Sequence, residues 1–190
     1  KQIESFERLL TDDGALVIKL WLHISHETQQ ARVKNDSPHR RTGPRGSDIP
    51  YELRGKYERT LEVSEQLILA TDSGHSPWQL LEAQDACYRD ITAGELVLEA
   101  MLYRASRLPL AAAPHVPATE LVTGPQPTVL DSVDLTLSLK GEAYDRQLAK
   151  YQAELGDLAW RAYQEKRSVV AVFEGWDAAG KGSAIRRVTR

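Results

Sequence analysis

One dense apolar run and two shorter strand-like segments interrupt an otherwise mixed pattern of polar and apolar residues. Residues 15–25 (ALVIKLWLHIS) are rich in β-branched and aliphatic side chains, and the run fits a strand buried on both faces of a parallel sheet. Residues 78–85 predict a second short buried strand, and residues 168–175 predict a third, which we expect at the centre of its sheet. Turn-forming residues at 11–14 precede the first strand, and Gly14 suits the left-handed backbone conformation that commonly ends a helix.

Apolar residues at helical spacing predict the helices between these strands. One helix ends within residues 6–10, and a second runs from about residue 26 to 34 with Ser25 as its cap. A third has its apolar face at Leu53, Tyr57, Leu61 and Ile68. Thr92 and Glu95 match a capping box, which predicts a helix from there to about residue 107. The apolar spacing also predicts a long amphipathic helix over 141–166. The segment SAIRRVTR (183–190) fits a final helix.

Two polar segments divide the chain. Residues 35–50 carry three prolines, two glycines and the arginines Arg40, Arg41 and Arg45, a composition typical of a mobile basic loop. Residues 108–127 hold five of the nine prolines and predict a semi-rigid linker. The pattern therefore predicts an α/β fold in two incomplete blocks, with two strands before the linker and one after it.

Composition narrows the class of protein. With 42% hydrophobic and 27% charged residues, the 190-residue chain is typical of globular proteins, and its net charge of −3 gives no general attraction for nucleic acid or membranes. A polyanion would need a local basic patch. The single cysteine, Cys87, cannot form an internal disulfide and suits a reducing, cytoplasmic setting. No apolar run approaches the roughly 20 residues of a membrane span, and the charged first residues do not match a signal peptide.

A phosphate-binding motif follows the third predicted strand. Gly175, Gly180 and Lys181 satisfy G-x-x-x-x-G-K, and a helix-like segment comes next. Glycines allow backbone angles at which successive N–H groups can face phosphate oxygens, and the new helix adds its positive dipole end. Gly182 replaces the usual magnesium-binding hydroxyl, with Ser183 one residue later. Asp177 would repel phosphate unless Mg²⁺ lies between them. We therefore expect the carboxylate of Asp177 to bind Mg²⁺ in place of the missing hydroxyl.

The stretch FEGWDAAGKGSAIRR resembles the phosphate loop of the polyphosphate kinase 2 family, which characteristically has Asp inside the loop and Gly after the Lys. Residues 128–190 resemble the start of such a domain, and 1–107 resemble the end of another, with the loop 35–50 as its lid. The resemblance implies a P-loop kinase-like parallel sheet with flanking helices, present as parts of two related domains joined by the linker 108–127. It places the phosphate loop at 175–183.

The resemblance also implies an activity and roles for residues. Family members transfer a phosphoryl group between inorganic polyphosphate and a nucleotide with Mg²⁺, and tandem members resemble polyphosphate:AMP phosphotransferases, which form ADP. Asp177 would bind Mg²⁺ and Lys181 would hold the transferring phosphoryl group. The implied phosphate-binding residues are Gly175, Gly180, Gly182, Ser183, Arg186 and Arg187, with Arg40, Arg41 and Arg45 in the lid.

One family element is missing from the chain, an Asp-Arg-Ser-Trp-like second carboxylate motif. Because phosphoryl transfer depends on positioning and charge neutralisation, we expect the isolated chain to be inactive while its parent is an enzyme. Two alternatives remain open: a nucleoside-monophosphate kinase that uses ATP, and a non-catalytic module for polyphosphate binding or dimerisation. Oligomeric state is likewise left open.

Two aromatic residues have more than one interpretation. Trp176, inside the loop, could stack on a nucleobase or pack the loop itself. His23 could form a metal-binding pair with His26, but the pair is more typical of a surface at a strand end.

Overall fold

The computed structural model describes residues 2–35, 57–106 and 128–189, and it forms an α/β structure. Its helices and strands, in chain order, are α1 (Gln2–Asp12), β1 (Leu16–His23), α2 (His26–Asn35), α3 (Tyr57–Thr71), β2 (Trp78–Glu82), α4 (Ala86–Ala105), a 3₁₀ helix (Val129–Ser132), α5 (Glu142–Gln164), β3 (Val169–Gly175) and α6 (Lys181–Val188). The predicted α/β class, parallel sheet and flanking helices are confirmed.

The sheet has three parallel strands in the order β2-β1-β3. Leu16 pairs with Val169 and Leu22 with Gly175, so β1 and β3 run in register over seven residues. The central position of β1 explains its apolar sequence, because seven of its eight residues are buried. The prediction that β3 lies at the centre is wrong: within the described residues β1 alone pairs with it, and β3 is an edge strand with mostly half-exposed residues.

One hydrophobic core joins residues from both sides of the predicted linker. Leu20, Leu22 and Ile24 of the first block pack in the same cluster as Leu155 and Trp176 of the second. Helices α4 and α5 contact each other extensively beside the sheet. The two blocks therefore build one layered structure, while their assignment to two copies of one family stays a prediction.

The helix boundaries confirm most of the helix predictions and correct one. Helix α5 matches the predicted 141–166 closely, and Gly14 adopts a left-handed φ of 90°. Helix α4, however, begins at Ala86 rather than at Thr92. Asp85 is its cap, because its carboxylate accepts from the amide of Tyr88 at 2.7 Å.

Three sequence predictions fall on undescribed parts of the chain. The lid loop 35–50, with Arg40, Arg41 and Arg45, lies outside the described residues except for residue 35, and the linker 108–127 lies wholly outside them. Leu53, predicted on the face of the third helix, also lies outside them. Among the helices that are described, none is both long and apolar enough to cross a membrane.

Candidate functional site

The G-x-x-x-x-G-K segment connects β3 to α6 at the carboxyl end of the sheet. Gly175 has φ of 139° and Gly180 has φ of 91°, the unusual angles that the motif predicts for glycine. A Cβ on Gly175 would lie 2.2 Å from the carbonyl oxygen of Leu22, so β1 leaves no space for a side chain there. Ala178 also has a positive φ, 64°, which places a non-glycine residue in a strained conformation inside the loop.

The loop satisfies some of its amides internally and leaves others available. The N–H of Trp176 donates to Leu22 across the sheet, and that of Ala179 donates to Trp176 within the loop. The remaining donors, which have no acceptor in the described part of the chain, are the amides of Asp177, Gly180, Lys181 and Gly182. Three of these stand together at the start of α6, where the helix dipole favours an anion.

Lys181 folds back over the loop that precedes it. Its Nζ donates to the carbonyl oxygens of Gly175 at 2.7 Å and Trp176 at 3.0 Å. Burial lowers the pKa of the Lys181 ammonium, while the carboxylates of Glu174 and Asp177 act in the opposite direction. The ammonium therefore lies within the loop, with a third N–H left for another acceptor.

One oxygen of the Asp177 carboxylate accepts a hydrogen bond, and the other has no hydrogen-bond partner among the described residues. Its Oδ1 accepts from the amide of Ala178 at 3.1 Å, which holds the side chain against the loop. Ser183 directs its hydroxyl toward Asp90 at 3.5 Å. No group of three or more metal-ligating side chains occurs among the described residues. This fits Mg²⁺ only as an ion held by one carboxylate together with phosphate oxygens and water, which is how Mg²⁺ commonly binds.

Two arginines that precede the linker donate hydrogen bonds to backbone carbonyls of the loop. Arg32 of α2 donates to the carbonyl of Ala178 at 2.8 Å, and Arg89 of α4 donates to that of Ala179 at 3.2 Å. Arg32 also bonds the carbonyl of Gln84 at 2.6 Å, which ties the loop to the end of β2. Sequence reasoning missed both arginines, because nothing in their local pattern shows which distant carbonyl they reach.

The arginines that follow the loop differ in their surroundings. Arg186 is exposed on α6. Arg187 directs its Nε toward Asp90 Oδ2 at 3.7 Å and the hydroxyl of Tyr144 at 3.3 Å. The guanidinium of Arg187 thus has partners on α4 and α5, and its predicted contact with phosphate stays a prediction.

Trp176 packs the loop against the first block. Its side chain is 1% exposed, lies parallel to Tyr57 with ring centres 4.0 Å apart, and donates from Nε1 to His23 Nδ1 at 2.9 Å. The packing interpretation is therefore correct, and no face of the indole is open to a base. The surface interpretation of His23 is wrong, because the ring is buried at the end of β1. Burial lowers the pKa of His23 to about 4, so the ring is neutral.

The sequence matches one protein family over most of its length. The Polyphosphate kinase 2 (PPK2) family matches residues 1–109 and 138–190. A polyphosphate:AMP phosphotransferase of Pseudomonas aeruginosa is 38% identical over 192 residues, covering 98% of this chain and 38% of that protein. The protein of the same name from Pseudomonas syringae pv. tomato is 34% identical over 191 residues, covering 97% of this chain and 37% of that protein.

A solved structure and a shorter relative are also similar to this chain. The crystal structure of a polyphosphate kinase 2 from Pseudomonas aeruginosa is 34% identical, and the alignment covers 98% of this chain and 32% of that chain with a TM-score of 0.39. An AMP/ADP-polyphosphate phosphotransferase of Meiothermus ruber is 31% identical over 103 residues, which are 53% of this chain and 38% of that protein. The chain thus spans less than two fifths of the length of these relatives.

Proposed function

The chain belongs to the polyphosphate kinase 2 family, and from that membership we propose that it is part of an enzyme that transfers a phosphoryl group from inorganic polyphosphate to a nucleotide. AMP is the proposed acceptor and ADP the product, since the relatives that align with nearly the whole chain are named polyphosphate:AMP phosphotransferases. Mg²⁺ is the proposed cofactor.

The phosphate loop is the observation that carries this proposal. Four amides that have no acceptor among the described residues, the ammonium of Lys181 and the start of α6 all lie at one turn after β3. An anion placed there would meet oriented N–H groups and a positive charge that need no rearrangement of the sheet. A phosphate group has several acceptor oxygens, so it could accept from more than one of these donors at once.

The residues of the loop would divide the work by their chemistry. The amides and Lys181 would hold the phosphate oxygens and neutralise the charge that shifts among them during transfer, which is where most of the catalysis of phosphoryl transfer arises. Asp177 would hold Mg²⁺, which when bound neutralises charge on the phosphates. The buried Trp176 would keep the loop rigid, so that the donors are oriented before the substrate arrives.

The decisive experiment uses the full-length parent protein. We expect it to form ADP from AMP, polyphosphate and Mg²⁺, and we expect Lys181→Ala to reduce kcat/KM strongly while leaving the protein folded. A Lys181→Ala protein with unchanged activity would support a non-catalytic role instead. Activity with ATP but not with polyphosphate would assign the chain to an ATP-dependent nucleoside-monophosphate kinase.

Salt dependence distinguishes the two donors further. A long polyanion releases many counterions on binding, so its affinity should fall steeply with salt, by analogy with nucleic acids, whereas a single ATP should respond weakly. We also propose that the 190-residue chain alone is inactive, since it lacks the second carboxylate motif. Robust ADP formation by this chain would contradict that part of the proposal.

A further inference from the structure

Arg89 and Asp90 of α4 form a buried ion pair. Among the described residues, their other side-chain polar contacts go to the phosphate loop and to α6, the helix that follows it. Arg89 donates from Nε and from its NH2 group to Asp90 Oδ1, at 2.8 and 2.6 Å, and both side chains are about 95% buried. The remaining guanidinium nitrogen of Arg89, NH1, donates to the carbonyl oxygen of Ala179. The second oxygen of Asp90 faces Ser183 and Arg187.

Stability alone is a weak explanation for such a pair. Removing two charges from water costs about as much as their attraction returns, so buried ion pairs often add little to the free energy of unfolding. Each side-chain hydrogen bond or ion pair that these two residues form outside the pair, within the described residues, goes to the segment 179–187. The pair therefore acts on the geometry of that segment.

The planarity of the peptide bond shows how this action would work. In a trans peptide the C=O and the following N–H point in opposite directions. By holding the carbonyl of Ala179, Arg89 turns the N–H of Gly180 away from α4, and that N–H has no acceptor in the parts of the chain that the structure describes. Gly180 also makes room for the arginine, because a Cβ there would lie 1.8 Å from the Arg89 NH1 nitrogen.

We propose that Arg89 and Asp90 are positioning residues for the phosphate loop. Arg89 orients the Ala179–Gly180 peptide so that its N–H faces the bound phosphate, and Asp90 holds Arg89 in place and links it to α6. This inference rests on the proposed function, because it assigns the orientation of the donors that would bind polyphosphate. It assigns to residues before the linker a role in a site whose binding groups come after it.

The test compares variants of the 190-residue chain for binding of tripolyphosphate with Mg²⁺, measured by calorimetry well below each variant's melting temperature. In Arg89→Lys an ammonium cannot bond Asp90 and the Ala179 carbonyl with the same fork geometry. We expect its affinity to fall about ten- to hundredfold, the loss of one hydrogen bond to a charged group. Asp90→Asn should weaken binding in the same direction.

Lys19→Met is the matched control, because Lys19 and Glu7 form another buried ion pair, at 2.8 Å, that has no contact with the loop. It should lower the melting temperature and leave tripolyphosphate affinity within about twofold, since the effect there is on stability. In ¹⁵N spectra, the amide of Gly180 should shift on addition of tripolyphosphate in the wild type and in Lys19→Met but not in Arg89→Lys. That signal reports orientation, which a loss of stability would not change.

The outcomes separate this inference from the proposed function. If wild type binds and Lys181→Ala weakens binding, but Arg89→Lys binds as wild type does, the positioning role is overturned and the proposed function stands. The positioning role is also overturned if Arg89→Lys and Lys19→Met lose equal affinity. If the wild-type chain binds no tripolyphosphate, the proposed phosphate site itself fails, and the positioning role with it.

Discussion

Gly175→Ala tests whether the end of β3 must approach β1 as closely as the structure shows. The added Cβ would lie 2.2 Å from the carbonyl oxygen of Leu22 and 2.8 Å from its nitrogen, distances that real Cβ atoms essentially never show. Both atoms belong to the backbone of the central strand, so no side-chain rotation can relieve the contact. The substitution must therefore separate the last pair of the β1–β3 register, Leu22 and Gly175.

The cost follows from two contributions. A non-glycine residue at φ of 139° costs about 1–3 kcal/mol of backbone strain. Moving the strands apart also loses the hydrogen bond from Trp176 N to Leu22 O, worth about 0.5–1.5 kcal/mol. We expect the free energy of unfolding to fall by about 2–4 kcal/mol, which in a chain of this size lowers the melting temperature by roughly 5–15 °C.

Gly182→Ala is the matched control, because Gly182 lies two residues after Gly180, the second glycine of the motif. A Cβ there meets no atom within 4 Å, and its φ is ordinary, so alanine should stabilise the chain by about 0.4–1 kcal/mol through the unfolded state. Urea denaturation of both variants at pH 7 measures the difference. If Gly175→Ala were as stable as Gly182→Ala, the close approach of loop and strand described here would be incorrect.

Three further predictions concern the same region. Lys181→Met in the full-length parent should reduce kcat/KM about 10²–10³-fold in a steady-state assay, the usual cost of one electrostatic donor, and an unchanged value would exclude Lys181 from the site. Trp176→Phe should destabilise the chain by about 1–3 kcal/mol in urea, because it leaves buried His23 Nδ1 unpaired, whereas Trp160→Phe, at a residue 61% exposed, should change stability by less than about 0.5 kcal/mol; equal effects would argue against the hydrogen bond. Since the pKa of His23 is about 4 when folded and about 6.5 when unfolded, the unfolded chain binds the proton more readily. The contribution of neutral His23 to the free energy of unfolding is therefore complete above pH 6.5 and is lost toward pH 4, by on the order of 3 kcal/mol. His23→Gln should remove this pH dependence, and an unchanged dependence of the free energy of unfolding on pH would contradict the assignment.

Local patterns were sufficient to predict the parts of the fold that depend on local chemistry. The apolar run at 15–25 became the buried central strand, and the glycine spacing at 175 and 180 correctly predicted positive φ angles in a turn between strand and helix. These features follow from burial on both faces and from the angles that only glycine adopts easily.

Features that depend on distant partners could not be predicted in this way. The sequence does not show that Arg32 and Arg89 reach the carbonyls of Ala178 and Ala179, because that depends on where the fold places α2 and α4 relative to the loop. His23 has the pattern of a surface residue in the sequence, but it is buried because Trp176, 153 positions later in the chain, packs against it. The sequence alone does not fix the start of α4, because Asp85 and Thr92 are both good caps and burial of the first two turns decides between them.

The pairing of β1 with β3 has a consequence for how the protein is made. Its partners are about 150 residues apart in the chain, so the entropy of closing that long loop must be paid before the pairing stabilises anything. Within the described residues β3 is the strand that pairs with this edge of β1, so during synthesis the edge lacks this partner until β3 leaves the ribosome. An unpaired strand edge is prone to aggregation, so the late synthesis of β3 lengthens the period in which this edge of β1 can pair with another chain.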